Sequence, residues 1–370
     1  MNILVPNLGS TSLKYQILEM PAEREIARGR VERVTNYKDA IAQIALGDAA
    51  IHAVAFKAVH GGPEYRGTFL INEAVLRALE DFLPAAPAHN AIYLTAIRAF
   101  AEAMPGVPLI AAFETEFHAT MPDAAAHYGV PQEWRAAGIR RYGFHGASHQ
   151  YVSERVPEIL GRRREALRLV SCHLGGSSSL CAIDRGRSVD TTMGFSPQSG
   201  LENATRHGDL DVFAVLFMME RHGWSIEEVR RQLSKTGGLA GLSGIAGGDV
   251  RDLEAAAADG NRDAALALDV FALQVRKTIA AYAAAMSGLD AVSFTGGIGE
   301  NSAALRRRIL EPLAFLGIEL DPTRNGAKDS ADRLVSSPNS KVAVVVLATN
   351  EELIVARRAW RALHRTAASH

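Results

Sequence analysis

The chain has 370 residues, 48% hydrophobic and 22% charged, with 40 Lys+Arg against 41 Asp+Glu and a net charge of −1; the length predicts two domains, and the neutral balance removes the electrostatic case for nucleic acid or an anionic membrane surface. Two cysteines, Cys172 and Cys181, are too few for a secreted disulfide framework and read as buried thiols. No signal peptide is evident before the strand-like NILVP and no apolar run approaches the ~18 residues of a membrane span, so a cytoplasmic protein is expected.

MNILVPNLGSTSLKYQILEM reads as an apolar run, a small turn at Gly9–Leu13 and a second, alternating run. That pattern predicts a β-hairpin. AAIHAVAFKAVHGG follows as a buried strand that brings Lys57 and His60 to a glycine turn. NEAVLRALEDFL has helical periodicity with Asn72 as its cap. AIYLTAIRAFAEAM is a second amphipathic helix, and VPLIAAFET is a short buried strand ending on Glu114. RRYGFHGASHQ sets two arginines and two histidines among glycines. LRLVSCHLGGSSSLCAIDRG then repeats the hairpin pattern, with GSSSL at Gly176–Leu180 echoing GSTSL. ENATRHGDLD carries Arg206, His207, Asp209 and Asp211. LDVFAVLFMMERHG, IEEVRRQLS and AALALDVFALQVRKTIAAYAAAMSG are helices. LDAVSFTGGIGENSAALRRRIL reads as strand, glycine turn over Thr295–Ser302, and helix. KVAVVVLATNEELIVARRAWRALHR closes the chain as strand, turn and helix.

The alternation defines an α/β protein. The repeated hairpin is the best boundary signal. It divides the chain into 1–147 and 148–353, two similar units facing each other across a cleft, and the closing helix, 354–370, can return to the first.

Gly/Ser turns let a backbone approach an anion and offer N–H and O–H donors to it. One such turn is ordinarily a plain hairpin; two in facing units suit a polyphosphate held between them. TGGIGENS fits neither the P-loop nor the G-x-G-x-x-G pattern, and reads either as a nucleotide seat or as tight strand–helix packing. Lys57, the Arg/His pairs of residues 140–150, Arg206 and His207 all stand beside glycine turns in a neutral chain. Phosphoryl transfer needs such cations and donors, plus a metal. Glu351, Glu114 and Asp209 are the carboxylate candidates for Mg2+, although each alone could be a surface acid or a cap. No Cys-x2-Cys pair or Gly-x-Ser-x-Gly elbow appears, which argues against zinc and serine hydrolysis.

NLGSTSLKYQ, VHGGPEYRG, AHN, FETEFHATMP, RRYGFHGASHQYVS, CHLGGSSSL, SVDTTMGFSP, TRHGDLD, GLAGLSG, FTGGIGENS and TNEEL, in this order from residue 7 to about 355, resemble the acetate kinase (acetokinase) family. The resemblance implies two duplicated actin/hexokinase-type (ribonuclease H-like) α/β domains around a central cleft. It also implies ATP and Mg2+, reversible in-line transfer of a phosphoryl group to a short-chain carboxylate such as acetate or propionate, and a homodimer. Position by position, it implies Asn7, Ser10, Ser12 and Lys14 at the phosphates, with Asn7 and Glu351 serving Mg2+. His145 and Arg206 would meet the transferring phosphoryl, with Glu114 and Lys57 beside them. Ala88, His89, Phe144 and Pro197, with Lys57, would line the carboxylate pocket. His173, Gly175, Gly176 and Ser177 would form the second phosphate hairpin, and Gly297, Ile298, Gly299 and Asn301 would face the nucleotide.

Several positions depart from the family pattern. Lys57 stands where the family has Arg, Glu114 where it has Asp, and Gly176 where it has Asn. Ala88 replaces Leu, and ENATRHGD replaces MMGTRSGD. These changes leave open a larger acid such as butyrate, another donor such as diphosphate, and a nucleotide- or anion-binding sensor with weakened turnover. A sugar kinase on the same fold would need an Asp base for a neutral hydroxyl, whereas this chain offers Arg and Lys suited to an anion.

Overall fold

The computed structural model describes residues 1–9, 12–45, 50–328 and 331–367. Its first sheet contains β1 (Asn2–Leu8), β2 (Ser12–Glu19), β3 (Arg24–Glu32), β4 (Ala53–Ala58), β5 (Thr68–Leu70) and β6 (Leu109–Phe113). The second contains β7 (Arg168–Leu174), β8 (Ser178–Asp184), β9 (Arg187–Thr191), β10 (Ala291–Thr295), β11 (Arg333–Leu334) and β12 (Ala343–Val346). The spatial orders are β3-β2-β1-β4-β6-β5 and β11-β12-β10-β7-β8-β9. Read from opposite edges, these are one path taken twice. Three antiparallel strands come first. A parallel crossover then reaches the fourth strand, the sixth pairs parallel with it, and the fifth closes the edge antiparallel. The duplication read from the sequence is therefore a duplication of topology.

Strand chemistry explains the placement. Central β1 and β10 carry Ile3, Leu4, Val5 and Ala291, Val292, Phe294, all buried, as strands covered on both faces must be. Edge strand β3, REIARGRVE, is mostly exposed and charged, which discourages further pairing. Asn72 caps the helix Glu73–Asp81 by accepting from the amides of Ala74 and Val75 at 3.0 Å, as its sequence position predicted. The C-terminal helix Glu351–Ala367 lays Ile354, Val355, Ala356 and Ala359 on Ile3, Val5, Ala53, Ala55, Ile110 and Ala112, so it covers the first sheet. The helix Gly146–Leu160 turns Val152 and Val156 onto Leu169, Cys181, Ile183 and Ala291 of the second sheet. Cys172 and Cys181 are buried free thiols whose pKa burial pushes up.

Two local readings need correction. GSTSL and GSSSL are not in equivalent register: β1 and β2 close on the pair Leu8–Leu13, β7 and β8 on Leu174–Ser178. The second loop is one residue shorter, so Gly175, not Gly176, matches Gly9, and His173 matches Asn7. Thr295–Ser302, expected as a glycine turn between strand and helix, is itself largely helical. β10 passes directly into the helix Gly296–Asn301, with Gly296 at φ 79 at the junction, and Ser302 then caps the helix Ala303–Leu310.

Candidate active site

The tip of the β7–β8 hairpin is held by the segment 203–206. Asn203 Oδ1 accepts from the amide of Ser178 at 2.6 Å, and the Ala204 amide donates to the Gly176 carbonyl at 3.0 Å. Arg206 reaches the same tip: its Nη1 donates to Ser177 Oγ and to the Pro197 carbonyl, both at 3.1 Å. Among the described residues no carboxylate pairs with Arg206, and burial lowers its pKa. A partly desolvated guanidinium, always charged and without a counter-ion, favours an anion beside it.

Next to this tip lies a cleft of about 780 Å³ lined by Gly175 and Gly176 on one side and Gly297, Ile298, Asn301 and Ser302 on another. Gly247, Gly248, Asp249, Arg251 and Glu254 complete the wall. Gly248 is at φ 59, and a Cβ there would meet the Ala204 carbonyl oxygen at 2.2 Å, so only glycine lets this wall approach the segment that pins the hairpin.

Charge converges where the two sheets meet. Lys57, at the end of β4, makes an ion pair with Glu351 at the start of the C-terminal helix. Burial opposes charge on Lys57, but Glu351 and Glu114 hold its pKa above the ordinary value. Burial likewise works against an ionised Glu351, and Lys57 and His173 more than offset it, so that carboxylate is held below its usual range. Glu114 is different. It is 4% exposed and its Oε1 has no hydrogen-bond partner. Burial raises its pKa to about 7, against the pull of Lys57 and with Glu351 adding to the rise. Asn7 Nδ2 donates to Glu352 Oε1 at 3.0 Å, leaving Asn7 Oδ1 as the group able to accept from or ligate something else. Gly146 packs so closely that a Cβ on it would lie 2.0 Å from the Glu114 carbonyl oxygen.

Four histidines stand side by side at the junction. His145, in the left-handed region at φ 56 at the start of the helix Gly146–Leu160, stacks on His173 with ring centroids 4.3 Å apart. His149 and His118 follow. Burial first, then mutual repulsion and the fields of Lys57 and Arg206, hold His145 well below its ordinary pKa; His149 is similarly lowered by burial and by His118 and His173. His118 is pushed down to about 4, mainly by burial. The array is therefore neutral at pH 7. His145 and His149 have metal-like i, i+4 spacing, but a single hydroxyl, Ser179 Oγ, lies 2.8 Å from a ring nitrogen of each.

The structure thus brings Lys57, Glu114, His145, His173, Arg206 and Glu351 into one electrostatic neighbourhood. Gly175, Gly176, Gly297, Ile298 and Asn301 share the adjoining cleft. Gly299 does not join them: it is buried against Phe294 and packs helix to strand. Lys57 is engaged by Glu351 rather than facing an open pocket. Phe144 is buried and its carbonyl accepts from or orients His118 at 2.9 Å; Pro197 enters through its carbonyl contact with Arg206. Lys14 is exposed, opposite Asn7 in the β1–β2 register, and Ser12 begins β2. Ser10 lies outside the described residues, as do the side chains of Ala88 and His89. Sequence reading singled out the stretches holding His149 and Ser179 without giving either a role of its own, and it assigned nothing to Ser171 or to the 247–254 wall. The GGD of that wall, a glycine pair before the helix cap Asp249, was the available signal.

Two copies of one sheet topology, a glycine-walled cleft built by the second copy alone, and cations and neutral histidines beside it define a duplicated actin/hexokinase-type fold equipped for phosphoryl groups. Comparison narrows the class. The acetokinase family profile matches residues 39–357. The chain is 43% identical to an acetate kinase of Geobacillus kaustophilus over 97% of its own length and 98% of the relative's, and 43% identical to one of Clostridium botulinum over 96% and 98%. In three dimensions it is similar to an acetate kinase of Porphyromonas gingivalis, with TM-score 0.88, 34% identity, and coverage of 98% of this chain and 99% of the other. A propionate kinase of Francisella tularensis matches with TM-score 0.88, 34% identity, and coverage of 96% and 98%. The chain belongs to the acetokinase family.

Proposed function

We propose that this chain transfers the terminal phosphoryl group of ATP to a short-chain carboxylate of acetate or propionate size, forming an acyl phosphate and ADP reversibly. The observation that carries the reading is Arg206: a desolvated cation with no carboxylate partner among the described residues, at the hairpin tip between the glycine-lined cleft and His145. The nucleotide would occupy that cleft against Gly175, Gly176, Gly297, Ile298 and Asn301, with Asn7, Ser10, Ser12 and Lys14 of the first hairpin on the phosphate side. A substrate carboxylate is already ionised at pH 7 and needs no base. Its oxygen forms a bond to the γ-phosphorus, the bond to the bridging oxygen breaks, and that electron pair leaves with ADP. Arg206 and the neutral His145 would donate to the equatorial oxygens, where charge spreads during a loose transfer. Phe144, Pro197, Ala88 and His89 would shape the acyl side.

Mg2+ fits the residues present. The ionised Glu351, the free amide oxygen of Asn7 and the partnerless Oε1 of buried Glu114 supply hard oxygen donors of the kind Mg2+ takes, directly or through water. When bound it would offset phosphate charge. Glu114 would orient groups around it rather than abstract a proton. Residues 1–147 and 148–353 would form the two lobes, and packing of helix Glu351–Ala367 on the first sheet supports its return there. A homodimer is proposed with them; the exposed apolar residues Val212, Phe213, Leu216 and Phe217 on the helix Val212–His222 support it.

Trapping of acyl phosphate as hydroxamate tests the reading directly, across acids of one to five carbons with ATP and Mg2+. Product from the two- and three-carbon acids supports it. Nucleotide binding without acyl phosphate from any acid would overturn it in favour of a sensor.

A further inference from the structure

His145 can serve as a donor only if its outward nitrogen carries the proton, and the structure contains a device that decides this. His145 Nδ1 lies 2.8 Å from Ser179 Oγ. The same Oγ lies 2.8 Å from His149 Nε2, and His149 Nδ1 lies 2.9 Å from Ser171 Oγ. Ser171, Ser179 and His149 are fully buried. Among the described residues Ser171 Oγ has no partner but His149, and His145 Nε2 has none.

Counting protons gives one arrangement. A hydroxyl carries one proton and two lone pairs. A buried proton left without an acceptor costs far more than an idle lone pair on an oxygen that already makes one bond. Ser171 must therefore donate to His149 Nδ1, which leaves the proton of neutral His149 on Nε2. That N–H donates to Ser179 Oγ. The Ser179 proton then goes to His145 Nδ1, and the proton of neutral His145 stands on Nε2. Running the chain in reverse orphans the Ser171 proton and turns a lone pair of His145 outward, towards any phosphate oxygen. The lowered pKa values of both histidines keep them neutral, as the count requires.

We propose that Ser171, His149 and Ser179 form a tautomer relay that fixes His145 with its proton on Nε2, presented to the transferring phosphoryl group. The three are positioning residues, and their role in catalysis rests on the phosphotransfer reading above. The groups facing the relay are His118, His173, Lys57 and Arg206, all neutral or cationic; the hydrogen bonds of His118 go to Ser188 and the Phe144 carbonyl and that of His173 to Ser148, so none of them draws the relay protons the other way.

Histidine-selective 15N labelling with long-range 15N–1H correlation reads each tautomer without turnover, with His145 identified from the His145→Gln spectrum. Neutral His145 protonated on Nε2 in the wild type is expected. Ser171→Ala touches nothing at the phosphoryl position, yet should shift His145 towards a tautomer mixture. It should also lower kcat about threefold to tenfold, the size of one lost hydrogen bond, with the KM values for ATP and carboxylate unchanged. Ser171→Thr keeps the hydroxyl and should restore both. If Ser171→Ala does not fold, the wild-type spectrum alone decides. A wild-type His145 protonated on Nδ1, or one unchanged in folded Ser171→Ala, overturns the relay. The expected tautomers in a protein that makes no acyl phosphate support the relay and overturn the phosphotransfer reading instead.

Discussion

Glu114 gives the sharpest energetic test. Its pKa is raised to about 7 by burial, from an ordinary value near 4.5. For a carboxyl raised on folding, the native state binds the proton more tightly than the unfolded chain, so stability falls as pH rises from the unfolded value through about 7 and is level above it. At about 1.4 kcal/mol per tenfold in proton affinity, the full penalty is roughly 3 kcal/mol, of which about 2–3 kcal/mol develops between pH 5 and pH 8. Glu114→Gln resembles the protonated acid and does not titrate. Any fixed cost of its amide in the pocket is the same at every pH. The difference in unfolding free energy, variant minus wild type, should therefore increase by about 2–3 kcal/mol from pH 5 to pH 8 in urea denaturation. A difference that stays flat across this range, or moves the other way, would refute a Glu114 whose charge is disfavoured by burial. The same variant should lose acyl phosphate formation at pH 8, where the wild-type carboxylate is ionised.

Lys57→Met strands Glu351 and Glu114 together. Breaking a buried pair costs about 3–5 kcal/mol, and the 22% and 15% exposure of the Lys57 and Glu351 side chains reduces this to about 2–3 kcal/mol, readable by urea denaturation at pH 7.5; Lys57→Arg should recover most of it. Arg206→Gln should lower kcat by about 10²- to 10³-fold without lowering Tm, because it removes an uncompensated, partly desolvated charge; a fallen Tm with intact kcat would contradict the assignment. A Cβ placed on Gly297 would meet nothing within 4 Å, so Gly297→Ala should leave Tm unchanged or slightly raised while raising the KM for ATP about tenfold, measured by initial rates.

The α/β class, the paired hairpins and most helices were legible because hydrophobic period and caps are local: Asn72 before NEAVLRALEDFL specified its own helix start. The repeat of GSTSL pointed to a true duplication through a false register, since spelling does not count loop length and the hydrogen-bonded pairs Leu8–Leu13 and Leu174–Ser178 do. Gly299 illustrates another limit. In sequence it is one of three alike glycines, and only the helix formed directly after β10 turns it inward to Phe294 while Gly297 faces the cleft. Lys57 and Glu351 were each singled out, but their pairing spans nearly the whole chain and depends on the last helix returning to the first sheet. The His149–Ser179–His145 contacts were invisible for a related reason: they join the start of the helix Gly146–Leu160 to β8, about thirty residues further on, and nothing in their spacing encodes it.

The most direct test of the account is a structure of the protein with ADP, Mg2+, fluoroaluminate and acetate. The account predicts the planar fluoride group between the ADP β-phosphate and the acetate oxygen, with His145 Nε2 and the Arg206 guanidinium both in hydrogen-bond reach of its fluorines. A nucleotide seated away from the Gly175–Gly297 cleft, or a fluoride group that neither side chain touches, would contradict it.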